Sequence, residues 1–189
     1  MEAFVLGTAL GLAAGVSPGP LLALVLREAV QKGARAGMLA ALAPVVTDSW
    51  AVLLAWWLGG ALPAAALRAV QIAGGIYLLR LGWLGLRREP ARATDVPPSA
   101  SLRTAVIMNL TNPHMYLFWF LVGAPLLHRL GAGAWGFLLG FYLAITGSKA
   151  ALAWLAARLH RSPLSAPLAR AGDLALAALG LYLLASAWS

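Results

Sequence analysis

Six apolar runs, at about residues 4–26, 37–62, 67–86, 104–127, 132–157 and 174–188, take up most of this 189-residue chain. A helix needs about 20 apolar residues to cross the hydrocarbon of a bilayer. In lipid the backbone must satisfy its own hydrogen bonds, so such runs fold as helices. Charged residues make up 11% of the chain, against roughly 25% in a soluble domain. The expected fold class is an all-α integral membrane protein of six transmembrane helices, a single domain over residues 1–189. The connections are too short to hold a soluble domain.

The net charge of +8 would suggest a nucleic-acid partner in a soluble protein. Its placement points to a bilayer instead. Arg27, Lys32 and Arg35 flank the first connection. Arg80, Arg87, Arg88, Arg92 and Arg103 flank the third, and Arg158, Arg161 and Arg170 the fifth. Arg68 and Arg129 alone stand near the even connections. Basic residues accumulate on the cytoplasmic side of a membrane protein, so both termini are expected outside, with a cytoplasmic loop at 89–103. Trp56, Trp57, Trp83, Trp135 and Trp188 fall near run ends, where aromatic belts form. The opening Met1-Glu2-Ala3 lacks the positive region of a signal peptide, and the first run reads as a retained span. The chain has no cysteine, which removes thiol redox chemistry and cysteine metal sites. No phosphate loop, nucleophile–base spacing or metal cluster stands out, so neither an enzyme nor a cofactor is expected.

Within the first run stands Ser17-Pro18-Gly19-Pro20. Each proline removes a helical hydrogen bond and clashes with the preceding turn. Run four carries a comparable interruption, Asn109-Leu110-Thr111-Asn112-Pro113. Further correspondences follow in order. Thr47-Asp48-Ser49 matches Thr146-Gly147-Ser148-Lys149, and Tyr77-Leu78-Leu79 matches Tyr182-Leu183-Leu184. Three spans per half is an odd number, so the second copy would lie upside down. The chain thus reads as a 3+3 inverted repeat, residues 1–88 and 104–189, with helices one and four broken. Broken helices at matching positions of inverted halves mark a transporter's substrate site. Gly7, Gly11, Gly15 and Gly19 recur every four residues, a small-residue ridge that lets another helix approach closely.

Ionisable groups inside the bilayer are rare and face the bundle interior. Asp48 in run two and Lys149 in run five are of this kind, and Asp48 reads as the one deep carboxylate. Tyr142, Thr146 and Lys149 share a helix face, as do Asn109, Asn112 and Tyr116 in run four. The site expected from the residues comprises Ser17, Pro18, Gly19, Pro20, Thr47, Asp48, Asn109, Asn112, Pro113, Tyr142, Thr146 and Lys149. Asp48 and Lys149 are expected to pair at rest and to exchange that pairing for a substrate's ammonium and carboxylate. His128, His160 and Glu28 read as interfacial or locally paired.

GVSPGPLLALVLREAVQKGARAGMLAAL with Asp48 after it, and the later NPHMYLFWF, resemble the lysine exporter (LysE-type) family of amino-acid translocators. The likeness covers essentially the whole chain. Where that family often has a lysine after Asn-Pro, this chain has His114. The resemblance implies a bacterial inner-membrane exporter of amino acids or similar small metabolites, driven by protons and capable of forming a homodimer. Three other readings stand beside it. A metal-cation exporter would call for more carboxylates or histidines in the spans, a membrane electron carrier of related architecture would need paired cysteines, and a non-transporting scaffold would not call for broken helices in both halves.

Overall fold

The computed structural model describes residues 1–57, 63–87, 98–159 and 162–187, and among them every regular element is helical. The loop expected at 89–103 falls largely outside these residues, as do Arg88, Arg92, His160, Arg161 and Trp188. Four stretches are long and apolar enough to cross a bilayer: Ala34–Trp57, Ala64–Arg87, Pro113–Ala157 and Ala166–Ser186. A bent pair, α1 (Glu2–Val16) and α2 (Pro20–Lys32), adds a fifth if taken as one span.

The first break falls at the prolines. Ser17 and Gly19 are extended, and α2 leaves α1 at 65°. Pro20 opens α2, a position where its missing N–H costs nothing. Gly33, at φ 90, then turns the chain into α3 (Ala34–Ala40), and α4 (Ala43–Trp57) follows after two residues. Beyond α5 (Ala64–Arg87) comes the second break. It separates α6 (Pro98–Leu110) from α7 (Pro113–Phe118), with Asn112 extended between them. The Asn112 side chain accepts from His114 N at 3.1 Å and caps α7. The Tyr116 hydroxyl turns back to donate to Leu110 O at 2.9 Å.

From α7 the chain passes through one π-helical turn, Trp119–Gly123, into α8 (Ala124–Leu130). Pro125 explains the wide turn, since it has no N–H for Leu121 O and would clash with it in a regular helix. A tight Gly131–Gly133 turn leads to α9 (Ala134–Ala157), and α10 (Ser165–Ser186) follows. The Pro113–Ala157 stretch is therefore not one rod. Phe118 and Phe141 stack with ring centroids 5.2 Å apart, whereas 23 residues of straight helix would separate them by about 35 Å. The chain doubles back at Gly131, which has φ 51.

Two close helix pairs rest on glycine. A Cβ on Gly7 would stand 2.1 Å from Phe137 O, one on Gly11 2.4 Å from Phe141 O, and one on Gly15 1.9 Å from Ser148 Oγ. Numbers rise together on both helices, so α1 and α9 run parallel. The glycine ridge therefore finds its partner within the same chain, and Gly19 alone of the four meets nothing. Helices α5 and α10 run antiparallel, with Gly75 on Gly180 and Gly82 on Asp173 and Ala177. Many large apolar side chains, Leu53, Leu121 and Leu143 among them, point outward. In lipid such exposure carries no penalty, and small-residue packing holds the helices together.

Asp48 is not the only buried carboxylate among the described residues: Glu28 and Asp173 are 1% and 2% exposed, and Glu28 pairs locally, as expected, with Arg27 and Lys32. Arg27 on α2 donates to Asp173 on α10 through Nε and to Glu28 through Nη1 at 3.0 Å. Glu28 also accepts from Lys32 at 2.7 Å and from Ser101 on α6. Gly85 on α5 leaves the room that the Asp173 carboxylate occupies. The network ties α2, α6 and α10 together where basic residues are concentrated.

Candidate functional site

A cavity of about 330 Å³ opens where the two breaks meet. The first break contributes Ser17, Pro18, Gly19 and Pro20; α4 contributes Asp48; the second break contributes Asn109 and Asn112; α9 contributes Lys149. Eight of the twelve residues expected from the sequence therefore line one space. Thr47 stands behind Asp48, and Pro113 is buried at the start of α7. Tyr142 and Thr146 do not line the cavity, and the buried Thr146 hydroxyl has no hydrogen-bond partner among the described residues.

Asp48 is held by a clasp between α4 and α6. The Asn109 amide donates to Thr47 Oγ1 at 2.6 Å and to Asp48 Oδ1 at 2.9 Å. The Thr47 hydroxyl has two acceptors within reach, Ala43 O at 2.9 Å and Asp48 Oδ1 at 3.1 Å. The bonds from Thr47 and Asn109 both fall on Oδ1, and the buried Trp119 side chain interacts with the same carboxylate.

Lys149 does not form the ion pair expected with Asp48. Its ammonium donates to Ala14 O at 3.0 Å and to Gly15 O at 2.8 Å, at the end of α1. The physical reason is the break. Pro18 has no N–H to give Ala14 O, and a buried carbonyl without a donor is costly. A lysine has three N–H donors, and two are used on these carbonyls. Asp48 and Lys149 thus face the same cavity separately.

The expected stripe of Asn109, Asn112 and Tyr116 also needs correction. Its i, i+3, i+7 spacing assumed a continuous helix, and the chain is interrupted at Thr111 and Asn112. The two asparagines reach the cavity, while Tyr116 caps Leu110 O. On α9 the face turned to the cavity is Phe141, Ile145 and Lys149, one residue round from the polar stripe. With Met115 and Phe118 these residues make an apolar wall that sequence reasoning missed. The i, i+4, i+8 spacing back from Lys149 was the signal for it. His114 also lines the cavity.

The first residues of α2 line this space as well. Pro20 has no N–H, and the first bond within the helix runs from Ala23 N to Gly19 O, which leaves Leu21 and Leu22 as free donors at a helix N-terminus. Both residues line the cavity. The walls of one space therefore carry a cation, a carboxylate, the first turn of a helix and aromatic and aliphatic side chains.

The family model of the LysE type translocators matches residues 12–186. The leucine efflux protein of Enterobacter sp. is 32% identical over 114 residues, 54% of this chain and 53% of that protein. Those of Salmonella typhimurium and Salmonella typhi are 32% identical over 111 residues, 54% of this chain and 52% of each. The chain spans about half the length of these curated relatives. No solved structure matches it.

Proposed function

Given that the chain belongs to the LysE type translocator family, a family of multi-pass membrane proteins, we propose that it exports an apolar α-amino acid across a bacterial cytoplasmic membrane. The observation that carries this reading is the cavity between the two helix breaks, with Asp48 and Lys149 on its wall. A zwitterion fits its chemistry. The substrate carboxylate takes the third N–H of Lys149 and the Leu21 and Leu22 amides, since an anion is favoured at a helix N-terminus. The ammonium takes the Asp48 carboxylate. The side chain lies on Phe118, Phe141 and Ile145, in keeping with relatives named for leucine efflux.

The bundle is read as six crossings in two inverted halves, with both termini extracytoplasmic. Parallel α1 and α9, antiparallel α5 and α10, and the reversal at Gly131 are all consistent with that count. Asp48 is the proposed proton carrier. When it is protonated its hold on the ammonium weakens, and the halves are free to rock about the site.

The test is transport of labelled L-leucine. Everted vesicles should accumulate it when a proton gradient is imposed, and Asp48→Asn should remove the gradient's effect. Leucine movement indistinguishable from that of empty vesicles would end this reading. Normal gradient-driven export by Asp48→Asn would remove Asp48 from the coupling.

A further inference from the structure

The peptide Ser17-Pro18-Gly19-Pro20 strips the end of α1 of its donors. In an unbroken helix the N–H groups of residues 18, 19 and 20 would serve the carbonyls of Ala14, Gly15 and Val16. Pro18 and Pro20 have no N–H, and the 65° bend carries Gly19 away. Two of the orphaned oxygens, Ala14 O and Gly15 O, converge on Lys149 Nζ. Lys149 is 3% exposed and sits on the cavity wall. The arrangement is possible because α9 lies against α1 at Gly15, where a side chain would collide with Ser148. Converging carbonyls at the negative end of a helix dipole, in a dry bundle, attract a small monovalent cation. Broken membrane helices commonly offer such ends to a coupling ion. In this chain a tethered ammonium already has the place, and the charge facing it across the cavity is Asp48 on α4.

We propose that the carbonyl end of α1 is a monovalent-cation site kept filled by the Lys149 ammonium. The chain then needs no Na⁺ or K⁺ at this point, and loss of the ammonium opens the site to a free cation. The consequence for coupling rests on the transport reading above; the cation site itself does not.

The test uses the purified full chain in detergent, with unfolding midpoints measured in choline, sodium, potassium and methylammonium chloride at equal ionic strength. The wild-type midpoint should be the same in all four salts. Lys149→Ala should unfold earlier in choline and recover saturably with Na⁺, K⁺ or methylammonium, by about 5 °C or more at roughly 100 mM. Lys149→Met, which refills the volume with an apolar chain, should stay low and unresponsive. A Lys149→Ala protein indifferent to all three cations overturns the proposal, and so does a wild type stabilised selectively by Na⁺ or K⁺. If Lys149→Ala does not fold, Lys149→Ser repeats the variant arm with the same two outcomes. Leucine counterflow by reconstituted wild type should be equal in Na⁺ and choline. Stimulation by Na⁺ would overturn the proposal while upholding transport; no counterflow in either salt would sink the transport reading and leave the stability arms standing.

Discussion

Asp173→Ala tests whether the buried charge network holds the bundle together. Among the described residues, Arg27, Lys32, Glu28 and Asp173 make ion pairs that join two positive and two negative groups, and Arg27, Glu28 and Asp173 are almost inaccessible. Removing Asp173 leaves a net positive charge in the same place. Stranding a buried charge costs about 3–5 kcal/mol. Arg27 keeps Glu28 at 3.0 Å, so the low end applies, about 3 kcal/mol, or roughly a hundredfold in the folded-to-unfolded ratio. Asp173→Asn retains an acceptor for Arg27 and should lose less, about 1–2 kcal/mol, the difference between a charged and a neutral hydrogen bond. The double change Arg27→Met with Asp173→Leu leaves Glu28 with Lys32 and Ser101, free of surplus charge, and should recover most of the loss. Reversible unfolding in mixed micelles with rising SDS, followed by tryptophan fluorescence, measures all three. A single Asp173→Ala within about 0.5 kcal/mol of wild type, or a double variant no better than the single, would refute the argument that charge balance matters at this locus.

Gly11→Val should separate α1 from α9, since even a Cβ there would lie 2.4 Å from Phe141 O; a crosslink between cysteines placed at Phe4 and Gly136, where a Cβ on Gly136 would stand 3.9 Å from Phe4 Cβ, should fall sharply, and unchanged crosslinking would contradict the parallel packing. Tyr116→Phe removes the donor on Leu110 O and should cost about 1 kcal/mol in the same SDS titration, so an unaltered midpoint would mean that the carbonyl finds another donor. Asn109→Leu removes both bonds of the α4–α6 clasp and should weaken leucine counterflow more than Asn112→Ala, the opposite order counting against Asp48 as a positioned ligand. Reporters fused after Ser189 and at Ala93 should read as extracytoplasmic and cytoplasmic respectively, and a cytoplasmic C-terminal reporter would remove both the topology and the inverted repeat.

The sequence alone determined what depends on covalent chemistry and composition. A proline lacks its N–H in any surroundings, so the breaks at Ser17-Pro18-Gly19-Pro20 and before Pro113 could be read directly. Apolar run length implied a membrane bundle, and the glycine spacing on α1 implied a closely packed partner. Tertiary structure decided which groups meet. Periodicity gives a residue's height and face on its own helix, not the rotation of that helix against its neighbours. The polar stripe Tyr142, Thr146 and Lys149 drew attention by its polarity, yet α9 turns Phe141, Ile145 and Lys149 to the cavity. The attraction expected between Asp48 and Lys149 was sound in charge. It lost to two nearer carbonyls whose donors Pro18 and the bend had removed. Asp173 was passed over because the last apolar run was taken to start after it. Its rarity was the clue, since it is one of six acidic residues in a chain of net charge +8. Its partner Arg27 lies 146 positions away, and only the packing of α10 on α2 brings the two together, because burial of one charge requires the other wherever in the chain it stands.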